Sequence, residues 1–493
     1  MNTPMIVSLV AYFLLMMAIG VYGFFKSTAN VSEYMLGGRK LHPAVGALSA
    51  GASDMSGWML MGLPGAVYLS GLGAAWIAVG LVIGAYFNYL LVAPRLRVYT
   101  EEADDAITIP DYFEKRFQDN SHSLRIFASL VIVVFFTLYT SAGVVAGGKL
   151  FEAAFGLQYQ LGLIITASVV VAYTMFGGFL AVSLTDFVQG CIMFVALILV
   201  PWITWMELGN LDQSALEFDP DYVSWFSGVT ALGLISSLSW GLGYFGQPHI
   251  IVRFMAIRSL ADMSTARRIG MSWMIITVIG AVLTGLFGFL YVSQTATNLE
   301  DPETVFILLS QVLFNPYLSG FLLAAILAAI MSTISSQLLV SSSSLTEDLY
   351  KNFFRKQASQ SELVTVGRLS VLGVSVIATL LALDSNSSIL SLVSNAWAGF
   401  GAAFGPVILL SLYWGGLTRN GALASMVSGA ATVLIWIYGP FTFNGAPLSA
   451  TIYEIIPGFI VAFAAALVVS KLDSQPNEVI RGRHQRISAL LQN

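Results

Sequence analysis

The chain has 493 residues, of which 57% are hydrophobic and 10% charged, with a mean hydropathy of +0.79 and a formal net charge of −5. A soluble fold of this length carries about 25% charged residues to cover its surface, so a soluble globular protein is excluded, and no basic face large enough for nucleic acid is present. The single cysteine, Cys191, sits in an apolar run and rules out a disulfide framework.

A bilayer core of about 30 Å is crossed by about 20 apolar residues of helix. Runs of that kind fall at 5–25, 44–71, 74–93, 124–154, 161–181, 186–208, 228–254, 270–293, 316–346, 365–383, 389–415, 420–439 and 452–470. The fold class expected is therefore all-α integral membrane, with about 13 transmembrane helices. The first run has no basic n-region and no small-residue cleavage site, and is read as a membrane helix rather than a signal peptide. The tail 471–493 is polar and is expected as a short surface helix or a disordered end.

The charges fix an orientation. Of the 22 basic residues, only Lys149 falls outside the loops around 26–43, 94–123, 255–269, 347–364 and 416–419, the adjoining helix ends and the tail. The opposite loops are acidic, with Asp212, Glu217, Asp219 and Asp221, then Glu300, Asp301 and Glu303. Basic residues collect on the cytoplasmic side of membrane proteins, so both the expected odd helix count and this asymmetry put the N-terminus outside and the C-terminus in the cytoplasm. Extramembrane segments are too short for a soluble catalytic or nucleotide-binding domain, and no phosphate-cradling glycine loop followed by Lys is present. Any pumping must then be driven by an ion gradient.

Two runs contain sequence that an unbroken spanning helix would avoid. Ala47–Gly62 reads ALSAGASDMSGWMLMG and packs Ser49, Gly51, Ser53, Asp54, Ser56 and Gly57 into mid-membrane depth. Glycine costs about 1 kcal/mol against alanine inside a helix, and an aspartate at the bilayer centre costs about 2.5–3.5 kcal/mol on insertion scales. Such residues are tolerated where backbone unwinds and lines a polar cavity. A small-residue helix-packing face is the structural alternative. Ser236–His249 reads SSLSWGLGYFGQPH, with Gly241, Gly243 and Gly246 before Pro248, and Trp240, Tyr244 and Phe245 interleaved. Proline has no N–H and clashes with the preceding turn, so a second break beside aromatic walls is expected; a kinked packing helix is its alternative.

Each break opens a block of five runs, 44–208 and 228–415. Five is odd, so the blocks oppose each other in the membrane, as in secondary transporters built from inverted repeats. The remaining divisions are 1–43, a first peripheral helix with its loop, 209–227, an outer loop, 416–470, two peripheral helices, and the tail. Ala329, Ser332, Thr333 and Ser336 follow helical i, i+3, i+4, i+7 spacing and share a face. A hard cation such as sodium takes oxygen ligands, and hydroxyls here with bared carbonyls near Ala52 and Met55 supply five. A Ser/Thr face bonded to its own i−4 carbonyls is the alternative.

The stretches EYMLGGRKL (Glu33–Leu41), LSAGASDMSGWMLMGLPGAVY, SWGLGYFGQPHIIVRFMA, AAIMSTISSQLLVSSSSLTEDLY and AWAGFGAAFGP resemble the sodium/solute symporter family over almost the whole chain, and within it the bacterial members that carry proline. The resemblance implies a leucine-transporter-like inverted five-plus-five core, a bacterial cytoplasmic (inner) membrane location and no enzyme activity. It implies symport of sodium with L-proline, with no cofactor beyond the coupling sodium ion and no obligatory protein partner. Position by position it implies a sodium site at Ala52, Met55, Ala329, Ser332 and Thr333. Asp54, Asp186 and Arg39 take roles in sodium coupling, and a substrate pocket falls on Ser56, Trp58, Tyr139, Trp240, Tyr244 and Pro248. An apolar aromatic box suits the proline ring, an aromatic face its ammonium, and a half-helix N-terminus its carboxylate. Another carboxylate such as pantothenate, or a sugar, remains the rival cargo, and an ion channel or a membrane-embedded enzyme the rival class. The four histidines, His42, His122, His249 and His484, are scattered and form no metal or catalytic cluster in the sequence.

Overall fold

The computed structural model describes residues 3–26, 36–210, 220–295, 297–443 and 445–491. Residues 33–35 of the first motif, the centre of the 26–43 loop, the acidic Asp212, Glu217 and Asp219, and the last two tail residues lie outside them.

The protein is almost wholly helical. Helix α1 (Thr3–Lys26) is followed by α2 (Pro43–Asp54), which ends at the first predicted break. Beyond a wide turn at Trp58–Gly62 the chain resumes as α3 (Leu63–Ser70), then α4 (Trp76–Phe87) and α5 (Ala93–Glu102). Helix α6 (Ile109–Phe117) lies between α5 and the long α7 (Ser123–Phe155). Helical structure then runs from Tyr159 to Asn210 as α8, interrupted only at Gly178, with φ 61° and ψ −170°. The expected loop at 182–185 is therefore absent, because one glycine in a conformation that side chains disfavour is enough to redirect the helix.

The second break separates α9 (Ala231–Ser239) from α10 (Pro248–Ala256) by a tight turn at Trp240–Gly246. After these come α11 (Met263–Thr295), the short α12 (Val305–Val312), α13 (Pro316–Ser343, continuing in a wider coil to Phe354), α14 (Gln360–Leu381) and α15 (Ile389–Tyr413). Finally α16 (Arg419–Tyr438) leads through a two-stranded hairpin, Thr442–Phe443 with Ala446–Pro447, to α17 (Ile455–Leu472) and α18 (Glu478–Leu490).

Ten helices among the described residues are long and apolar enough to cross a membrane. The other three expected runs are present in shorter pieces. Those at 44–71 and 228–254 are divided by the breaks, and the run at 161–181 is the short apolar helix Tyr159–Met175. The expected loops at 94–123 and 347–364 hold helical turns as well, since α5, α6 and the extension of α13 occupy them.

Burial separates core from rim. Almost every residue of α13 from Ser319 to Ser343 is buried, and so is α15 from Ala396 to Ile408. Leu14, Leu369, Ile377, Ile435 and Ile460 are instead exposed on α1, α14, α16 and α17. An apolar outer ring around a buried polar interior is what a lipid solvent permits. The described part of the tail holds the expected short helix, packed on the protein: Ile480 and Ile487 of α18 are buried, and its His484 bonds the hydroxyl of Tyr99.

Candidate functional site

The first break is built from its own sequence. At Met55, with φ −86° and ψ 79°, the coil of α2 stops, although the Met55 N–H still reaches Gly51 O at 2.9 Å. The carbonyl of Asp54 is left outside the ladder and gathers the Trp58 indole N–H at 3.1 Å, the Ser56 N–H at 3.0 Å and the Tyr139 hydroxyl at 3.5 Å. The second break comes to the same point: the Tyr244 hydroxyl donates to Asp54 Oδ2. Of the expected substrate residues, Ser56, Trp58, Tyr139 and Tyr244 thus converge on one aspartate, and all four are buried.

Trp240 does not join them directly. Its ring stacks on Tyr453 at 5.2 Å, and its carbonyl accepts the Trp397 indole N–H at 2.8 Å. Trp397 also meets Tyr244 edge-on at 5.0 Å. Any side chain at Gly243 would collide with that indole, so this position needs glycine for close approach. Pro248 sits at the first turn of α10, where its missing N–H costs nothing, behind Gln247 in extended conformation.

Across from the first break, the Ser332 hydroxyl of α13 bonds both Ala52 O, at 2.7 Å, and Ala329 O, at 3.1 Å. Two of the five expected sodium ligands, the carbonyls of Ala52 and Ala329, are therefore within hydrogen-bond reach of a third, the Ser332 hydroxyl. The Thr333 hydroxyl beside them is buried with no protein partner, and Met55 is fully buried in the break. A hydroxyl, two carbonyls and an unpartnered threonine oxygen are hard donors suited to a small monovalent cation.

Asp186 lies in a second cluster. Its Oδ2 accepts from Ser49 at 2.7 Å, from Arg253 at 3.2 Å and from Ser336 at 3.4 Å, joining α8 to α2, α10 and α13. Arg253 completes its fork on His249 O at 2.7 Å and Ser336 at 2.5 Å. The sequence counted Arg253 among the positive charges at the edge of a basic loop. It is wholly buried, and only the fold, which brings it to Asp186, distinguishes the two situations. The signal available was a charged residue five positions into an apolar helix that starts at proline.

Arg39, at the basic end of the molecule, binds Asp105 at 2.7 Å, Thr100 at 3.1 Å, Met255 O at 2.9 Å and Ala106 O at 2.7 Å. Beside it, Leu41 N–H donates to Ala256 O and Arg258 N–H to Leu41 O, each at 3.1 Å. Arg39 therefore ties the chain before α2 to the end of α10, below both breaks. At the acidic end, the exceptional Lys149 is paired with Asp301 and Glu303, each at 2.8 Å.

Asn88 escaped the sequence reading. It lies with Asp54, Met55, Tyr89 and Tyr244 around a cavity of about 30 Å³, and neither its amide oxygen nor its nitrogen has a partner. An asparagine in an apolar helix carries little signal alone.

The profile of the Sodium:solute symporter family matches residues 34–429. The chain belongs to the sodium:solute symporter family. It is 59% identical over 479 residues to the osmoregulated proline transporter OpuE of Bacillus subtilis (strain 168), covering 97% of this chain and 96% of that one. It is 57% identical over 468 residues to the high-affinity proline transporter PutP of the same organism, covering 94% and 97%. The sodium/proline symporter of Staphylococcus aureus (strain JH9) is 55% identical over 486 residues, covering 97% and 94%. Among solved structures, a sodium-coupled sialic acid symporter in an outward-open state superposes with a TM-score of 0.78 at 18% identity over 97% of this chain and 99% of that one. The nucleobase-cation-symport transporter Mhp1 gives 0.54 at 11% identity over 94% and 99%. The fold is thus leucine-transporter-like, and this family member is a multi-pass membrane transporter rather than an enzyme.

Proposed function

We propose that the chain carries L-proline inward together with sodium by alternating access across the bacterial cytoplasmic membrane. It crosses thirteen times, with the N-terminus outside and the C-terminus in the cytoplasm, and residues 44–208 and 228–415 form its two inverted repeats. The observation that carries the reading is Ser332 bridging Ala52 O and Ala329 O, in a chain at least 54% identical over nearly its full length to proline transporters. Sodium bound by Ala52, Met55, Ala329, Ser332 and Thr333 replaces the bridging hydroxyl proton as the link between the uncoiled segment and α13. Among the described residues Asp54 forms no ion pair, so a cation nearby offsets its charge. Ser56, Trp58, Tyr139, Trp240, Tyr244 and Pro248 enclose proline where the two breaks meet. Asp186 and Arg39 hold the surrounding helices.

The sodium-bound break then has the shape that takes proline, and a coupling of about 1.4–3 kcal/mol changes proline affinity roughly 10–150-fold. Uptake of labelled proline into vesicles is measured with and without an inward sodium gradient; uptake indifferent to sodium removes the mechanism, and displacement by pantothenate or a sugar rather than proline changes the cargo. Thr333→Ala raises the sodium concentration needed, whereas Tyr244→Ala weakens proline. Loss of protein abundance alone in both variants leaves the site assignment unsupported.

A further inference from the structure

Helix α13 has a second polar face that begins at the site, at Thr333, and runs on beyond it. Thr333, Gln337, Ser341, Ser344 and Asp348 recur at steps of three and four residues, so they line one side of the helix and its extension. Each carries a buried side-chain atom with no protein partner: Thr333 Oγ1, Gln337 Nε2, Ser341 Oγ, Ser344 Oγ and Asp348 Oδ2. Buried polar groups in native structures are nearly always bonded to protein or to ordered water, and the bilayer core supplies neither. A continuous file of unmet groups is therefore a feature to be explained, not scatter.

The file has defined ends and a defined wall. It starts at Thr333, beside Ser332, and the wall is α7, whose Thr140 donates to Gln337 Oε1 at 3.1 Å and whose Arg125 donates to Asp348 Oδ1 at 2.9 Å. Between them on α7, Ser129 is also buried and unpartnered. At the far end Arg125 faces Asp111, Glu114 and Asp348 together. Lys115 reaches Asp111 at 2.9 Å, Thr108 reaches Asp348 at 3.0 Å and the His122 ring reaches Glu114 at 2.8 Å. Three carboxylates thus face two fixed cations. The neighbouring face of α13, through Ser336, ends instead on the buried guanidinium of Arg253 with one carboxylate.

Resting on the sodium reading above, we infer that the Thr333–Asp348 face of α13 is the route by which the coupling cation leaves for the cytoplasm. Asp348 is the last oxygen station, and Arg125 is the tethered cation that holds it until the ion arrives. The oxygens of Thr333, Ser341, Ser344 and Asp348, with Gln337 Oε1, which Thr140 shares, replace parts of a hydration shell in sequence, which a hard monovalent cation requires. Arg125 already holds Asp111 and Glu114, so when the arriving ion takes its place at Asp348 neither the guanidinium nor the carboxylate is left unpaired.

The test uses the full chain with Cys191→Ser as background, in inside-out vesicles. Ser341→Cys and Ser344→Cys are exposed from the cytoplasmic face to a trimethylammonium methanethiosulfonate, with Leu338→Cys, buried off this face, as control. The inference expects both to react roughly tenfold faster than the control, since reaction follows access, and to be slowed by sodium with proline. Asp348→Asn lowers sodium-driven net uptake several-fold while equilibrium sodium-dependent proline binding is kept. Both cysteines as inert as Leu338→Cys, in variants that still take up proline, overturn it. Sodium-dependent proline binding by the wild type on the same membranes reports on the transport reading separately, because a wet route reacts whatever solute is carried.

Discussion

Asp54 and Asp186 are both buried beside the uncoiled part of the molecule, and the fold treats them oppositely. Asp186 meets a guanidinium, two hydroxyls and three other helices. Asp54 meets one tyrosine hydroxyl at Oδ2, and its Oδ1 has no protein partner. A carboxylate out of water is tolerable when a fixed cation answers it. The first is thus answered in charge by Arg253, although its Oδ1 too has no protein partner, and it acts as a structural tie among α2, α8, α10 and α13. The second has no ion pair among the described residues, at the place where a mobile cation and a zwitterion are proposed to arrive. Charge completeness, more than burial, separates scaffold from site here.

The sharpest way to break that contrast is Asp186→Ala, which strands Arg253 in the core. Removing one member of a buried pair costs about 3–5 kcal/mol, so folded protein and thermal stability in detergent fall together. Asp186→Leu with Arg253→Met restores most of the stability. If the double variant is no more stable than the single one, the tie is not electrostatic. Asp54→Asn is expected to leave abundance near wild type and to reduce sodium-stimulated proline affinity roughly 10–150-fold. Equilibrium binding at several sodium concentrations reads this, and a loss of folded protein like that of Asp186→Ala would erase the distinction.

Gly243→Ala sharpens the comparison from the other wall, because the added methyl drives Trp397 away from Trp240 and Tyr244. Overpacking of this kind costs about 1–3 kcal/mol, and proline affinity should fall while the sodium requirement changes little. A shift confined to the sodium requirement would mean that the aromatic wall serves the ion.

The smallest effect expected lies outside the membrane. Burial, with Arg116 and Arg95 nearby, pushes the His484 imidazole down to about 4. Its ordinary value is about 6.5, so the undocked tail binds more protons than the docked one between those limits. Docking of α18 therefore weakens as pH falls from about 6.5 toward 4 and changes no further below. Hydrogen exchange of residues 478–490 reads this, and His484→Gln should flatten the dependence.

Several of these features are visible in the one-dimensional chain because they violate local rules. Glycines, serines and an aspartate in an apolar run, or three glycines before a proline, are costly in a helix whatever surrounds them, and both breaks fall where those costs concentrate. Positive charge distribution and apolar run length likewise need no tertiary information. The inside of the 161–208 stretch was less legible, since nothing marks Gly178, rather than Gly162, Gly177 or Gly190, as the glycine there that takes a positive φ.

Pairing was beyond the sequence. Arg253 and Asp186 are 67 residues apart and Tyr244 and Asp54 are 190 apart, and nothing local tells a buried guanidinium from one at a loop edge. The sequence by itself determined that the chain lives in lipid, where its helices must fail and which oxygen-bearing residues are near those failures, because backbone and solvation costs are properties of short segments. Only the tertiary structure decided which buried charges are answered and which are left open, because Coulomb energy in a low-dielectric interior depends on separations of a few ångströms between residues that the chain order keeps far apart.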